Sequence, residues 1–172
     1  MRMKKIIVLI LAMIVGVLIG IAIPENIEHQ LVSGASSANV ILPPTSNQVE
    51  TALNKFRTEK GLAKFNTEVP LLDRAAQARA EGMCAENDWS HAKDWAVLDQ
   101  YYSYNYAGEN LYYGSLREDQ VSDAIKTWAA SPTHLENMVK NYTQVGIGIK
   151  SCPGFQGDSS AVIITNYFGV PR

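Results

Sequence analysis

Cysteine is scarce in this chain: two residues, Cys84 and Cys152, among 172. Also missing are HExxH, GxSxG, a phosphate-binding P-loop and a nucleotide-type GxGxxG. The zinc-protease, serine-hydrolase and nucleotide-dependent signatures therefore do not apply. Ser90 beside His91 is no substitute for a triad, because neighbouring side chains on a chain seldom face each other. Positive charge is short as well. With Arg2, Lys4 and Lys5 set aside, 12 Lys and Arg face 17 Asp and Glu, which moves the net charge from −2 for the whole chain to −5. No basic cluster is left to hold nucleic acid or an anionic membrane surface. There is no internal repeat.

What is present begins with an apolar run. Ile6 to Ile23, 18 residues without a charge, follows Arg2, Lys4 and Lys5. As a helix it would measure about 27 Å, near the thickness of a bilayer core. Residues 1–23 read as an N-terminal signal anchor or a cleaved signal peptide, with small residues at "GIA" (20–22) as the candidate cleavage point. Either way the basic end stays inside and the rest is expected outside the cytoplasm. There an even pair of cysteines is expected to form a disulfide, Cys84–Cys152, rather than a metal site or a nucleophile; two buried thiols are the alternative. Residues 24–46 mix Ser, Ala, Gly and Pro without periodicity and read as a spacer that includes His29.

The folded part is expected over 47–172. Thr45 with Gln48 fits a capping box, Val49, Leu53 and Phe56 recur at helical spacing, and Gly61 stops that helix. Pro70 opens a second helix whose broad face carries Leu72, Ala75, Ala76, Arg79 and Met83. Ser115 and Glu118 suggest another capping box, ahead of the stripe Val121, Ala124, Ile125, Trp128. Ser131 and Pro132 suit the start of a short helix. "QVGIGIK" (144–150) and "AVIITNYFG" (161–169) read as strands, and "NLYYG" (110–114) as a third. Helices first and strands last predict an α+β domain, an antiparallel sheet covered by helices.

Few polar residues stand out. His91 lies between Trp89 and Trp95, Glu109 sits in the aromatic tract "NYAGENLYYG", and His134 and Glu136 fall in the first turns of the short helix. Each also has a bland reading: a packed histidine beside tryptophan, a turn carboxylate capping backbone N–H groups, a surface residue. Placement at a helix N-terminus favours a neutral His134, because the dipole disfavours added positive charge.

Taken in order, "LNKFRTEKGL", "AAQARAEGM", "WSHAKDW", "AGENLYYG", "AIKTWAASPTHLENMVKNYTQVGIGI" and "ITNYFG" resemble the CAP superfamily of cysteine-rich secretory, antigen 5 and pathogenesis-related 1 proteins, in its prokaryotic branch. The resemblance runs from Gln48 to Phe168 and implies a three-layer α/β/α sandwich around a central, mainly antiparallel sheet. It implies a cleft lined by two histidines and two acids. His91 matches the first histidine and Glu109 the first acid. Ser131 stands at the second acid position, Asn141 stands where the family has its second histidine, and His134 fills the "SPxH" element of prokaryotic members. Two imidazoles and a carboxylate (His91, His134, Glu109) could coordinate a divalent ion such as Zn²⁺ or hydrogen-bond a ligand. The leading expectation is a non-enzymatic, extracytoplasmic binding module without catalytic residues. Its partner would be a small amphiphile, a peptide or a cell-envelope component. A metal-assisted hydrolase and a structural envelope or adhesion protein are the alternatives.

Overall fold

The structure, a computed structural model, describes residues 40–92 and 95–172. The apolar run and residues 24–39 of the expected spacer lie outside the described residues. Among those described, no helix is long and apolar enough to cross a membrane. Residues 41–172 form a compact unit with its own cores and its own disulfide.

Helix α1, Ser46–Glu59, starts as its sequence predicts: Thr45 Oγ1 accepts from the Gln48 backbone N–H at 3.3 Å, and Gln48 Oε1 accepts from Thr45 N–H at 2.7 Å. Just past its end, Gly61 has φ +71°, where a residue without Cβ is unstrained. Helix α2, Pro70–Glu86, has its proline in the first turn and ends on Asn87 in the left-handed region. A short helix α3, Ala96–Asp99, precedes strand β1, Tyr104–Ser115. Helices α4, Gln120–Ala130, and α5, Pro132–Val139, follow, then β2, Gln144–Ser151, a 3₁₀ turn at Phe155–Gly157, and β3, Ala161–Pro171.

Two expectations need correction. Ser115 caps no helix: it is the last residue of β1, pairs with Ala161, and its hydroxyl donates to Asp158 Oδ2 at 2.5 Å. Strand pairing has taken the backbone there, and Leu116 N–H continues it by donating to Ser160 O, so α4 starts later, without a side-chain cap. Nor is Gly108–Asn110 a turn. It lies in mid-strand, opposite Phe168, Tyr167 and Asn166.

The three strands run antiparallel in the order β1-β3-β2. Alternation along central β3 sends Val162, Ile164 and Phe168 to one core, with α1, α4 and α5, and Ile163 and Tyr167 to the other side, with α2. Helices therefore cover both faces in three layers. "QVGIGIK" shows why that packing is close. A Cβ on Gly146 would fall 2.4 Å from the Leu72 carbonyl carbon, and one on Gly148 2.2 Å from that of Ala76. Only glycine lets α2 approach the backbone of β2 so closely.

Both edge strands are capped by side chains from the helices and from the loop before β2. On the β2 edge, Asp73 and Gln77 of α2 accept from the N–H groups of Ile147 and Ile149, each at 3.0 Å. On the β1 edge, Tyr142, Asn137 and Trp128 donate to the carbonyls of Ala107, Glu109 and Leu111. At the start of β2 the edge is also met by Asn66, which bridges Gln144 through Asn66 N–H to Thr143 O and Val145 N–H to Asn66 O, so little of either edge is left open to another strand. The disulfide Cys84–Cys152 forms as expected and ties the end of α2 to the segment after β2. Closing a loop with a sequence separation of 68 contributes on the order of 4 kcal/mol in the chain-entropy model.

Candidate functional site

The polar cluster sits beside β1, where elements from both helical layers meet the edge of the sheet. The alternation that points Leu111 toward α2 points Glu109 there too. From α2, Arg79 meets it: Arg79 Nε donates to Glu109 Oε1 at 3.0 Å, with side chains only 12% and 4% exposed. The other end of the guanidinium donates to the Ser90 carbonyl. His91, in the segment after α2, places Nδ1 2.8 Å from Glu109 Oε2, and Ala92 N–H donates to the same oxygen at 3.3 Å. Since a carboxylate only accepts, His91 carries its proton on Nδ1 and turns Nε2 outward. The His91 side chain is 57% exposed.

His134 reaches the cluster from α5, its ring centroid 5.6 Å from that of His91. Both of its ring nitrogens are buried and, among the described residues, without a hydrogen-bond partner. Burial first, then the neighbouring His91, lowers its pKa below the ordinary histidine value, partly offset by Glu109. The neutral ring expected from the sequence is favoured, with burial as the main cause. The loop and helix around it are pinned by asparagines: Asn110 Nδ2 donates to the His134 carbonyl at 3.0 Å, and Asn137 Nδ2 to Asn110 Oδ1 at 2.9 Å. Behind Glu109, on the neighbouring strand, lies Tyr167. Its buried hydroxyl makes no hydrogen bond of acceptable geometry among the described residues, although burial and then the nearby Glu109 charge push its pKa up.

His91, Glu109 and His134 are thus brought together, and Ser131 and Asn141 are not. Ser131 occupies the N-cap position of α5, but its hydroxyl lies 3.3 Å from Thr133 Oγ1 and caps no backbone group. Asn141 is exposed, and its carbonyl accepts from Tyr106. Arg79 is the member that sequence reasoning passed over, although it stood on the apolar face of α2. A charged residue on such a face signals a buried partner.

A divalent ion does not fit the residues as they stand. Both oxygens of Glu109 are engaged, a guanidinium adjoins them, and among the described residues no group of three His, Cys, Asp or Glu side chains is placed to hold a metal.

A three-layer sandwich with a histidine–carboxylate cluster at the sheet edge defines a small α/β/α class of domain. Residues 51–168, more than half of the chain, match the model of the CAP, cysteine-rich secretory protein family, and the chain belongs to that family. An outer surface protein from Borrelia burgdorferi shares the fold at TM-score 0.62 and 16% identity, over 76% of this chain and 98% of that one. A cysteine-rich secretory protein from Staphylococcus aureus subsp. aureus Mu50 matches at TM-score 0.57 and 16% identity, over 76% of this chain but 40% of its own length. Among curated proteins none matches the chain.

Proposed function

We propose that this protein is an extracytoplasmic binding module of the CAP family, without catalytic activity, whose ligand is an anionic amphiphile of the cell envelope. The observation that carries the reading is an open groove of about 380 Å³ between α1 and α4. Half-buried Phe56, Val121 and Ile125, continuous with the main core, offer it an apolar floor. Two exposed lysines flank the groove: Lys55, which pairs at 3.8 Å with Glu59 on the same rim, and Lys126, which makes no ion pair among the described residues. An acyl chain on that floor with an acidic headgroup at the lysines would use both features. The geometry at Glu109 supports a non-catalytic reading, because both carboxylate oxygens are already hydrogen-bonded and the side chain is only 4% exposed, out of reach of a substrate.

Location outside the cytoplasm is supported by the disulfide, which persists in oxidising compartments, and agrees with the printed description of the Borrelia neighbour as an outer surface protein. The apolar run 6–23 would serve as anchor or export signal. Titration of residues 41–172 with a fluorescent long-chain fatty acid tests the ligand. Saturable binding is expected, weakened about tenfold, or ~1.4 kcal/mol, by Ser122→Trp, which fills the groove from an exposed position. The absence of saturable binding would refute the reading, as would binding indifferent to Ser122→Trp.

A further inference from the structure

Two of the three donors that a metal site would need are available, and the third is taken. The rings of His91 and His134 have centroids 5.6 Å apart. Two imidazoles bound to one Zn²⁺ at ~2.0–2.1 Å per bond have centroids about 5–6 Å apart. Nε2 of His91 points away from Glu109, and both ring nitrogens of His134 lack a partner among the described residues. Glu109 is different. Its Oε1 is held by Arg79 and its Oε2 by His91 and Ala92 N–H, and the carboxylate is nearly inaccessible to solvent.

We infer that Arg79 is a resident cation, standing beside Glu109 in place of a metal ion, and that its presence keeps His91, Glu109 and His134 from forming a metal site. A guanidinium keeps its charge across the accessible pH range. It answers the carboxylate's charge and donates a charge-assisted hydrogen bond to Oε1, while His91 and Ala92 N–H hold Oε2. It also sets a fixed positive charge next to the site where a dication would have to bind, and that repulsion grows as the surroundings dry. Arg79 cannot swing aside at little cost, since its far end is bonded to the Ser90 carbonyl and its side chain is largely buried. Moving it would strand two hydrogen bonds and leave Glu109 buried as an uncompensated charge. The role is that of a positioning residue: Arg79 fixes the Glu109 rotamer, and Glu109 in turn fixes the tautomer and direction of His91.

Zinc titration of the full-length protein, free of chelator, by calorimetry and by thermal unfolding tests this. The wild type is expected to take up no stoichiometric Zn²⁺ at micromolar concentration, with an unfolding temperature indifferent to the metal. Arg79→Gln, which keeps an amide donor beside Glu109, and Arg79→Met are expected to bind one equivalent at least about tenfold more tightly than the wild type. Their unfolding temperatures should rise with Zn²⁺, and adding His134→Ala should abolish the gain. Stoichiometric binding by the wild type that disappears in His91→Ala would overturn the inference. So would a folded Arg79→Gln or Arg79→Met protein with no more affinity for Zn²⁺ than its parent. If neither variant folds, the wild-type titration still decides, because tight binding there contradicts a site closed by Arg79.

Discussion

Arg57 and Arg79 each place a cation on the apolar face of a long helix, yet the two regions handle that charge differently. Arg57, 4% exposed, spends its donors on backbone: Nε on Ala63 O at 2.6 Å, and one terminal nitrogen on Met138 O and Lys140 O at 2.8 and 3.1 Å. Its guanidinium also lies 3.9 Å over the Phe65 ring, and burial lowers its pKa. It fastens α1 to the loop that follows and to the end of α5. Arg79 divides its donors between one carbonyl and one carboxylate, and that carboxylate holds a histidine. A buried cation answered by carbonyls is a fastening. One answered by a carboxylate also sets the chemistry of the groups around it.

The largest effect should come from removing the counter-charge. Glu109→Ala leaves Arg79 largely buried without its anion and frees His91, and is expected to cost about 3 kcal/mol in urea unfolding. Arg57→Met keeps the stem volume and loses the hydrogen bonds and the guanidinium's contact with Phe65 but strands no opposite charge, so about 2 kcal/mol is expected by the same measurement, mainly from carbonyls left unpaired. If Arg57→Met costs more than Glu109→Ala, the distinction between the two regions fails. The smallest effect is a pH dependence confined to the second region. Because the folded pKa of His134 lies below its unfolded value, the unfolded chain takes up the proton first as pH falls. Stability contributed by neutral His134 is therefore intact above the ordinary histidine value of 6.5 and is lost as pH drops from there through the lowered folded value. His91 and Glu109 are the titratable groups facing it. Unfolding temperatures of wild type and His134→Gln should diverge over that interval. Parallel curves would remove His134 as the titrating group.

Much of the fold was legible. Thr45 with Gln48, Pro70, Pro132 and the alternation of β3 act through near neighbours, so their consequences could be read locally. The same holds for two cysteines in a chain that carries an export-type segment. The Ser115–Glu118 pair misled for an instructive reason. As a local pattern it is a sound capping box, but Ser115 had a competing use, pairing with Ala161 and bonding Asp158, more than forty positions away. The glycines of "QVGIGIK" were visible as part of a strand, while their purpose, contact with the backbone of α2, was not.

The sequence by itself pointed to the family, the starts of α1, α2 and α5, the two later strands, a bond between Cys84 and Cys152 and, as an expectation, His91 beside Glu109. These follow from periodicity, capping chemistry, cysteine number and motif order. Only the tertiary structure decided what Glu109 is bonded to. Its state depends on Arg79, 30 residues earlier on another element, and on the strand alternation that turns both toward one face. No short-range pattern encodes that meeting, because a buried charge finds its partner through packing rather than along the chain.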